Sequence, residues 1–162
     1  MMNHMHRRHI LMSLAALPLA ACASSEHPPE VARATLPDLP RHPNETPELR
    51  AKINKWADHY EVPRTLVQRV VIRESTHRPS ARNGPYMGLM QIHPNTARGM
   101  GFQGPPEKLL DAETNLKYAV KYLRGAWLVS DGDEATAVGW YARGYYHEAK
   151  RRGLLEETGL KT

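Results

Sequence analysis

The 162-residue chain carries a formal net charge of +5, 41% apolar residues and one cysteine, Cys22. That length suits one domain of about 100–150 residues plus appendages, and a lone cysteine excludes both a disulfide framework and a cysteine-based metal site. The basic residues are scattered, with no dense run and no interleaved aromatics, which excludes a recognisable nucleic-acid module.

Residues 1–9 are polar and carry Arg7 and Arg8, and residues 10–21, ILMSLAALPLAA, are almost purely apolar. A bilayer span takes about 20 apolar residues, so this run is too short to cross. A basic start, a short apolar stretch and small residues make a secretory signal instead. Leu19-Ala20-Ala21-Cys22 resembles the lipobox of bacterial lipoproteins, which implies that residues 1–21 are removed and Cys22 is lipidated. Removal takes two arginines and no acid, lowering the net charge to about +3, a mild excess that suits an acidic polymer or an anionic surface. Each buried methylene contributes roughly 0.8 kcal/mol, so several acyl chains on Cys22 would hold the protein on a membrane without a spanning helix. Ala23 in place of Asp after the cysteine points, by the same resemblance, to the outer membrane and a periplasm-facing domain.

From the cysteine to Thr46 the chain is rich in Pro and polar residues with no hydrophobic period, so 22–46 reads as a tether. The domain is expected over 47–162. Thr46-Pro47 signals a helix start, and Leu49, Ile53, Trp56, Ala57 and Tyr60 recur at helical spacing. Pro63 ends that helix and opens another with the stripe Leu66, Val67, Val70 and Val71. A loop follows over about 79–85, then a short helix from Pro94 to near Gly99 or Gly101. Asp111 caps a longer helix striped by Leu116, Ala119, Val120, Leu123 and Trp127. Asp131-Gly132-Asp133 forms a turn and cap before a helix carrying Ala135, Val138, Tyr141, Ala142 and Tyr145. No alternating strand pair with hairpin chemistry stands out, and the fold class is mostly α with irregular loops.

Glu74 lies four residues after Val70 and three after Val71, on the apolar face of its helix. A carboxylate there is desolvated, which raises its pKa and suits it to donate a proton. The alternative is a solvated Glu at a frayed helix end. In Gly88-Leu89-Met90-Gln91-Ile92 the glycine permits a tight turn or close approach by a ligand. Gln91 offers donors and an acceptor to sugar hydroxyls and amides, and Leu89 and Ile92 face the core. Met90 fills a core gap or pads a sugar face. The aromatic run Trp140-Tyr141-Ala142-Arg143-Gly144-Tyr145-Tyr146 reads either as core or as a stacking platform, with Trp140 or Tyr141 at the site. The histidines show no metal-binding spacing and no GxSxG is present. Glu107, Asp111, Glu113, Asp131, Asp133 and Glu134 sit where helix starts favour negative charge, leaving Glu74 as the one well-placed carboxylate.

Glu74-Ser75, Gly88-Leu89-Met90-Gln91-Ile92, Asn115-Leu116 leading into Ala119-Val120-Lys121-Tyr122-Leu123, and Tyr141 in an aromatic helix together resemble the soluble-lytic-transglycosylase family, with its goose-lysozyme-like fold. The likeness covers roughly residues 48–146. It implies cleavage of the bond between N-acetylmuramic acid and N-acetylglucosamine in peptidoglycan, leaving 1,6-anhydromuramic acid ends. It implies Glu74 as the single catalytic acid/base. It also implies Gly88, Met90 and Gln91 along the sugar groove with Ser75, and Tyr141 at the substrate beside the catalytic acid; no metal or cofactor is implied, and a monomer is the default expectation. The sequence departs from the family in two places. Arg82-Asn83-Gly84-Pro85-Tyr86-Met87 stands where serines and a Gly-Ala pair are usual, with Asn83 in the place of a substrate-bonding serine. Trp140-Tyr141-Ala142-Arg143-Gly144 stands for Ala-Tyr-Asn-Ala-Gly, which loses an Asn and gains an Arg. A hydrolytic muramidase and a non-catalytic peptidoglycan-binding lipoprotein are the alternatives.

Overall fold

A computed structural model describes residues 40–160. The signal segment, Cys22 and most of the tether lie outside the described residues. Helix α1 runs Pro47–His59 and α2 Arg64–Ser75, followed by the two-residue strands β1 (Arg82–Asn83) and β2 (Tyr86–Met87), α3 (Pro94–Gly99), a short 3₁₀ helix (Pro106–Leu110), α4 (Ala112–Leu128), α5 (Glu134–Arg143) and α6 (Tyr146–Arg152). The mostly-α expectation holds, and no described helix is long and apolar enough to cross a membrane.

Local chemistry sets the helix starts. Thr46 Oγ1 accepts from the Leu49 N–H, Asp111 Oδ1 from the Thr114 N–H and Asp133 Oδ1 from the Thr136 N–H, each taking one donor left open at a first turn. His93 caps α3 through Nδ1, which accepts from the Asn95 N–H at 3.0 Å. Helix α4 is the central element, packed against α1, α3, α5 and the 3₁₀ helix. Its Leu116, Ala119, Val120, Leu123 and Ala126 meet Ile53 and Ala57 of α1, Leu66, Val67, Val70 and Val71 of α2, and Leu89, Met90 and Ile92 in one core.

Three expectations change. First, β1 and β2 form an antiparallel hairpin, Arg82 opposite Met87 and Asn83 opposite Tyr86. Strands this short show no alternation in the sequence. Second, α5 ends at Arg143 because Gly144 leaves helical geometry (φ 86°, ψ 150°), so Tyr145 belongs to the next turn of chain, where it is buried nonetheless. The buried positions of α5 are Ala137 and Tyr141, while Ala135 and Ala142 are exposed. Third, the last tether residues pack on the domain. Glu45 is buried and accepts from Arg50 Nε (2.5 Å), Arg50 Nη2 (2.6 Å), Gln68 Nε2 (2.8 Å) and the His42 N–H (3.2 Å). His77 Nε2 donates to Gln68 Oε1 at 2.8 Å, and its ring stacks on His42.

This network braces the chain just beyond Glu74. Thr76 and His77 both adopt positive φ (48° and 61°), a conformation that costs of order 1–3 kcal/mol per non-glycine residue unless its surroundings enforce it. Asn44 Nδ2 donates to the Thr76 carbonyl at 3.0 Å and holds the turn from the other side.

The network also makes stability depend on pH. Burial pushes the Glu45 carboxyl up, but the bonds from Arg50, Gln68 and the His42 amide outweigh it and bring its pKa from 4.5 to about 2. Burial holds His77 below the usual imidazole value of 6.5, against the opposing pull of Glu45. Both groups bind protons less readily in the fold than in the unfolded chain, so stability falls as pH falls. The loss from His77 begins below pH 6.5, and that from Glu45 runs between about 4.5 and about 2. Urea unfolding midpoints are expected to drop through both windows. Glu45→Gln should cost about 3 kcal/mol at pH 7 and flatten the lower window. A midpoint independent of pH below 6 would contradict this account.

Candidate active site

Glu74 is the second-to-last residue of α2, and its side chain is 22% exposed. The apolar face that carries Val70 and Val71 delivers it to the domain surface at the end of the helix. Burial pushes its pKa above 4.5. The guanidinium of Arg73, with Nε 3.5 Å from Glu74 Oε1, pulls it partly back. Among the described residues no second carboxylate perturbs Glu74.

Tyr141 stands beside it. The phenol is buried, and its pKa is raised well above 10 by desolvation first and then by the charge of Glu74. It therefore stays protonated and donates to the Met90 carbonyl at 2.8 Å. That bond ties α5 to the loop after β2.

The loop is held by the buried side chain of Asn115. Asn115 Oδ1 accepts from the Met90 N–H at 3.0 Å, and its Nδ2 donates to the carbonyls of Met87 and Leu109, each at 2.8 Å. Gly88 makes room for it. A Cβ at this position (φ 78°) would stand 2.2 Å from Asn115 Nδ2 and 2.3 Å from the Leu109 oxygen. The glycine therefore serves close packing against Asn115, and no ligand is needed to explain it. The signal for Asn115 was a polar residue next to Leu116 on the apolar stripe of α4.

The other expected site residues divide. Gln91 has positive φ (46°), and its Nε2 donates to the Gly88 and Ala81 carbonyls at 2.8 and 3.1 Å. Its Oε1 is buried without a partner among the described residues. Met90 is fully buried, so its side chain has no surface with which to line a groove; it contributes its backbone. Ser75 is also buried. Its hydroxyl donates to the Val71 carbonyl and accepts from the Arg78 N–H, finishing the helix. Both were expected along the substrate, and both went inside because they fall on the core side of a helix end and a tight turn. Asn83 is exposed in the hairpin.

A cleft of about 240 Å³ lies against Tyr141. Gln91, Tyr122 and Tyr141 line it together with His93, Tyr86 and Arg143. Tyr86 is 46% exposed and meets His93 edge to face, which leaves an aromatic surface free for a sugar ring. Nothing in the sequence marks Tyr86 or Tyr122 for the cleft, since a lone tyrosine in a loop or mid-helix gives no signal of its own. A second cavity, of about 350 Å³ and lined by Phe102, Lys108, Lys117 and Tyr118, contains none of the expected site residues.

The neutral Tyr141 lines an open cleft with aromatic and amide walls and feels the charge of the desolvated Glu74 carboxyl, which lies outside the residues lining that cleft. That suits proton transfer to a bound glycan. Among known families, the model of the transglycosylase SLT domain matches residues 51–157, which include every residue of the cleft. No solved structure matches the chain.

Proposed function

The chain belongs to the transglycosylase SLT domain family, glycan-cleaving enzymes whose substrate is peptidoglycan, and from that premise we propose that it cuts the bond between N-acetylmuramic acid and N-acetylglucosamine non-hydrolytically, with Glu74 as sole acid/base. The observation that carries this reading is the half-buried Glu74, its pKa raised, with no carboxylate perturbing it among the described residues.

A glycosidase with two carboxylates activates water or forms a glycosyl ester. One carboxyl must serve both steps here. Glu74 first donates its proton to the glycosidic oxygen as the bond to C1 breaks. As a carboxylate it then takes the proton of the muramic C6 hydroxyl, whose oxygen closes on C1. The acid is thereby restored, and the product is a 1,6-anhydro ring. A hydroxyl held on the same sugar has an effective molarity of roughly 10⁵ M or more, which favours it over water. Tyr141, kept neutral, fixes the wall of the cleft beside Glu74. In this reading the cleft-lining Gln91 and Tyr86 meet the strand, the exposed Asn83 extends that surface along the hairpin, and Gly88, Met90 and Ser75 support it from within. Anchoring through Cys22 on the outer membrane, with the domain in the periplasm, completes the proposal. It rests on the lipobox-like Leu19-Ala20-Ala21-Cys22.

Purified sacculi digested with the chain are expected to release muropeptides lighter by one water than those from lysozyme, as read by mass spectrometry. Hydrated products would make it a muramidase. Binding to sacculi without any soluble product would make it a non-catalytic wall-binding protein.

A further inference from the structure

We propose that Arg143 is a carboxylate-receiving specificity residue of the cleft, selecting strands that carry an anionic group on the lactyl-peptide arm of the muramic sugar. The inference rests on the function proposed above and names the substrate chemistry of the same site.

The guanidinium carbon of Arg143 lies 3.8 Å from the centroid of the Trp140 ring. The side chain turns back over the preceding turn of α5. A Cβ on Gly139 would stand 2.7 Å from Arg143 Nη1, so the glycine leaves the space in which the guanidinium lies. Glycine inside a helix costs stability relative to alanine, and here it has a packing reason. Trp140 and Gly139 thus hold in one place a group that would otherwise sample many rotamers. Arg143 has no acidic partner among the described residues, although the domain pairs Arg50, Arg64, Arg73, Arg151 and Arg152 with carboxylates. It lines the cleft beside Tyr141, and no Asp or Glu does. A planar, preorganised guanidinium with no acidic partner among the described residues suits a carboxylate, which it can bind through two parallel N–H bonds.

Two carboxylates could supply this chemistry: those of an attached stem peptide, or the lactyl carboxylate left free when the peptide is absent. The test measures binding of the full chain carrying Glu74→Gln, which reads the interaction whether or not Glu74 cuts. The ligands are peptide-bearing strands, strands stripped of peptide by an amidase, and both forms with their carboxyls capped as neutral amides, all at one ionic strength. Arg143→Ala is expected to weaken binding to the uncapped strand that supplies the carboxylate about tenfold and to leave capped strands unchanged. Arg143→Lys should restore only part of the loss, because it keeps the charge and loses the planar fork. With Glu74 intact, the variant should raise KM about tenfold at nearly constant kcat. Equal losses on capped and uncapped strands, or no loss on either, would overturn the inference. Failure of the proposed reaction would show separately, as hydrated products or none from the wild-type chain.

Discussion

Glu74→Gln is expected to lower the rate of muropeptide release from sacculi by about 10³–10⁴-fold. General acid–base catalysis by a positioned side chain contributes typically ~10²–10⁴-fold, and the upper end applies because one carboxyl performs both proton transfers. Glutamine keeps the shape and can still hydrogen-bond, but it has no proton to give the leaving oxygen. Stability should move the other way. The Glu74 carboxyl has a raised pKa, chiefly through burial. The fold therefore holds its proton more tightly than the unfolded chain does, and ionisation weakens the fold as pH rises through the raised value. The neutral variant escapes that penalty, so its urea midpoint at pH 7 should equal or exceed that of the wild type. Loss of activity with retained or improved stability separates a chemical role from a structural one. Activity within a few-fold of wild type would remove Glu74 from the mechanism.

The position of Glu74 was legible because its cause is local. Val70 and Val71 fix the buried face of α2, and a residue three and four places on must share it. The caps Thr46, Asp111 and Asp133 were legible for the same reason, since each satisfies donors within three residues of itself. What escaped depends on distant parts of the chain. Glu45 meets Gln68 across 23 positions, and Asn44 meets Thr76 across 32. A Pro-rich stretch therefore read as tether to its end when its last residues belong to the domain. Met90 escaped differently. The sequence could not say whether its side chain or its backbone would serve the site, and the answer is the backbone, with the side chain in the core. On α5, alanines at 135, 137 and 142 give little indication of which face is buried, because a methyl group gains so little from burial. The glycine at 144, which ends the helix, is masked by the aromatic run around it.

Asn115→Ala is expected to give the largest loss of stability in the domain, about 4 kcal/mol. The mutation would leave two buried backbone groups without partners, the Met90 N–H and the Leu109 carbonyl, and would take one of two donors from the Met87 carbonyl, which keeps the Ile92 N–H. Each buried group so orphaned costs about 1–3 kcal/mol, and an ordinary domain has about 5–15 kcal/mol in hand. Asn115→Asp separates bonding from volume. It fills the same space and can accept from Met90, but an ionised carboxylate cannot donate to either carbonyl and faces both oxygens. Its cost should match or exceed that of alanine, whereas a role in packing alone would leave it near wild type. The effect reaches the site along a short path. Asn115 holds Met90, the Met90 carbonyl receives the Tyr141 hydroxyl, and Tyr141 adjoins Glu74. Under conditions where the variants remain folded, muropeptide release should therefore still be impaired, because Tyr141 loses its fixed partner and the Gln91 turn loses its anchor. Urea midpoints together with release rates at low temperature check both halves. A stability change below about 1 kcal/mol, the value of a single ordinary hydrogen bond, would show that the loop is held by something other than Asn115.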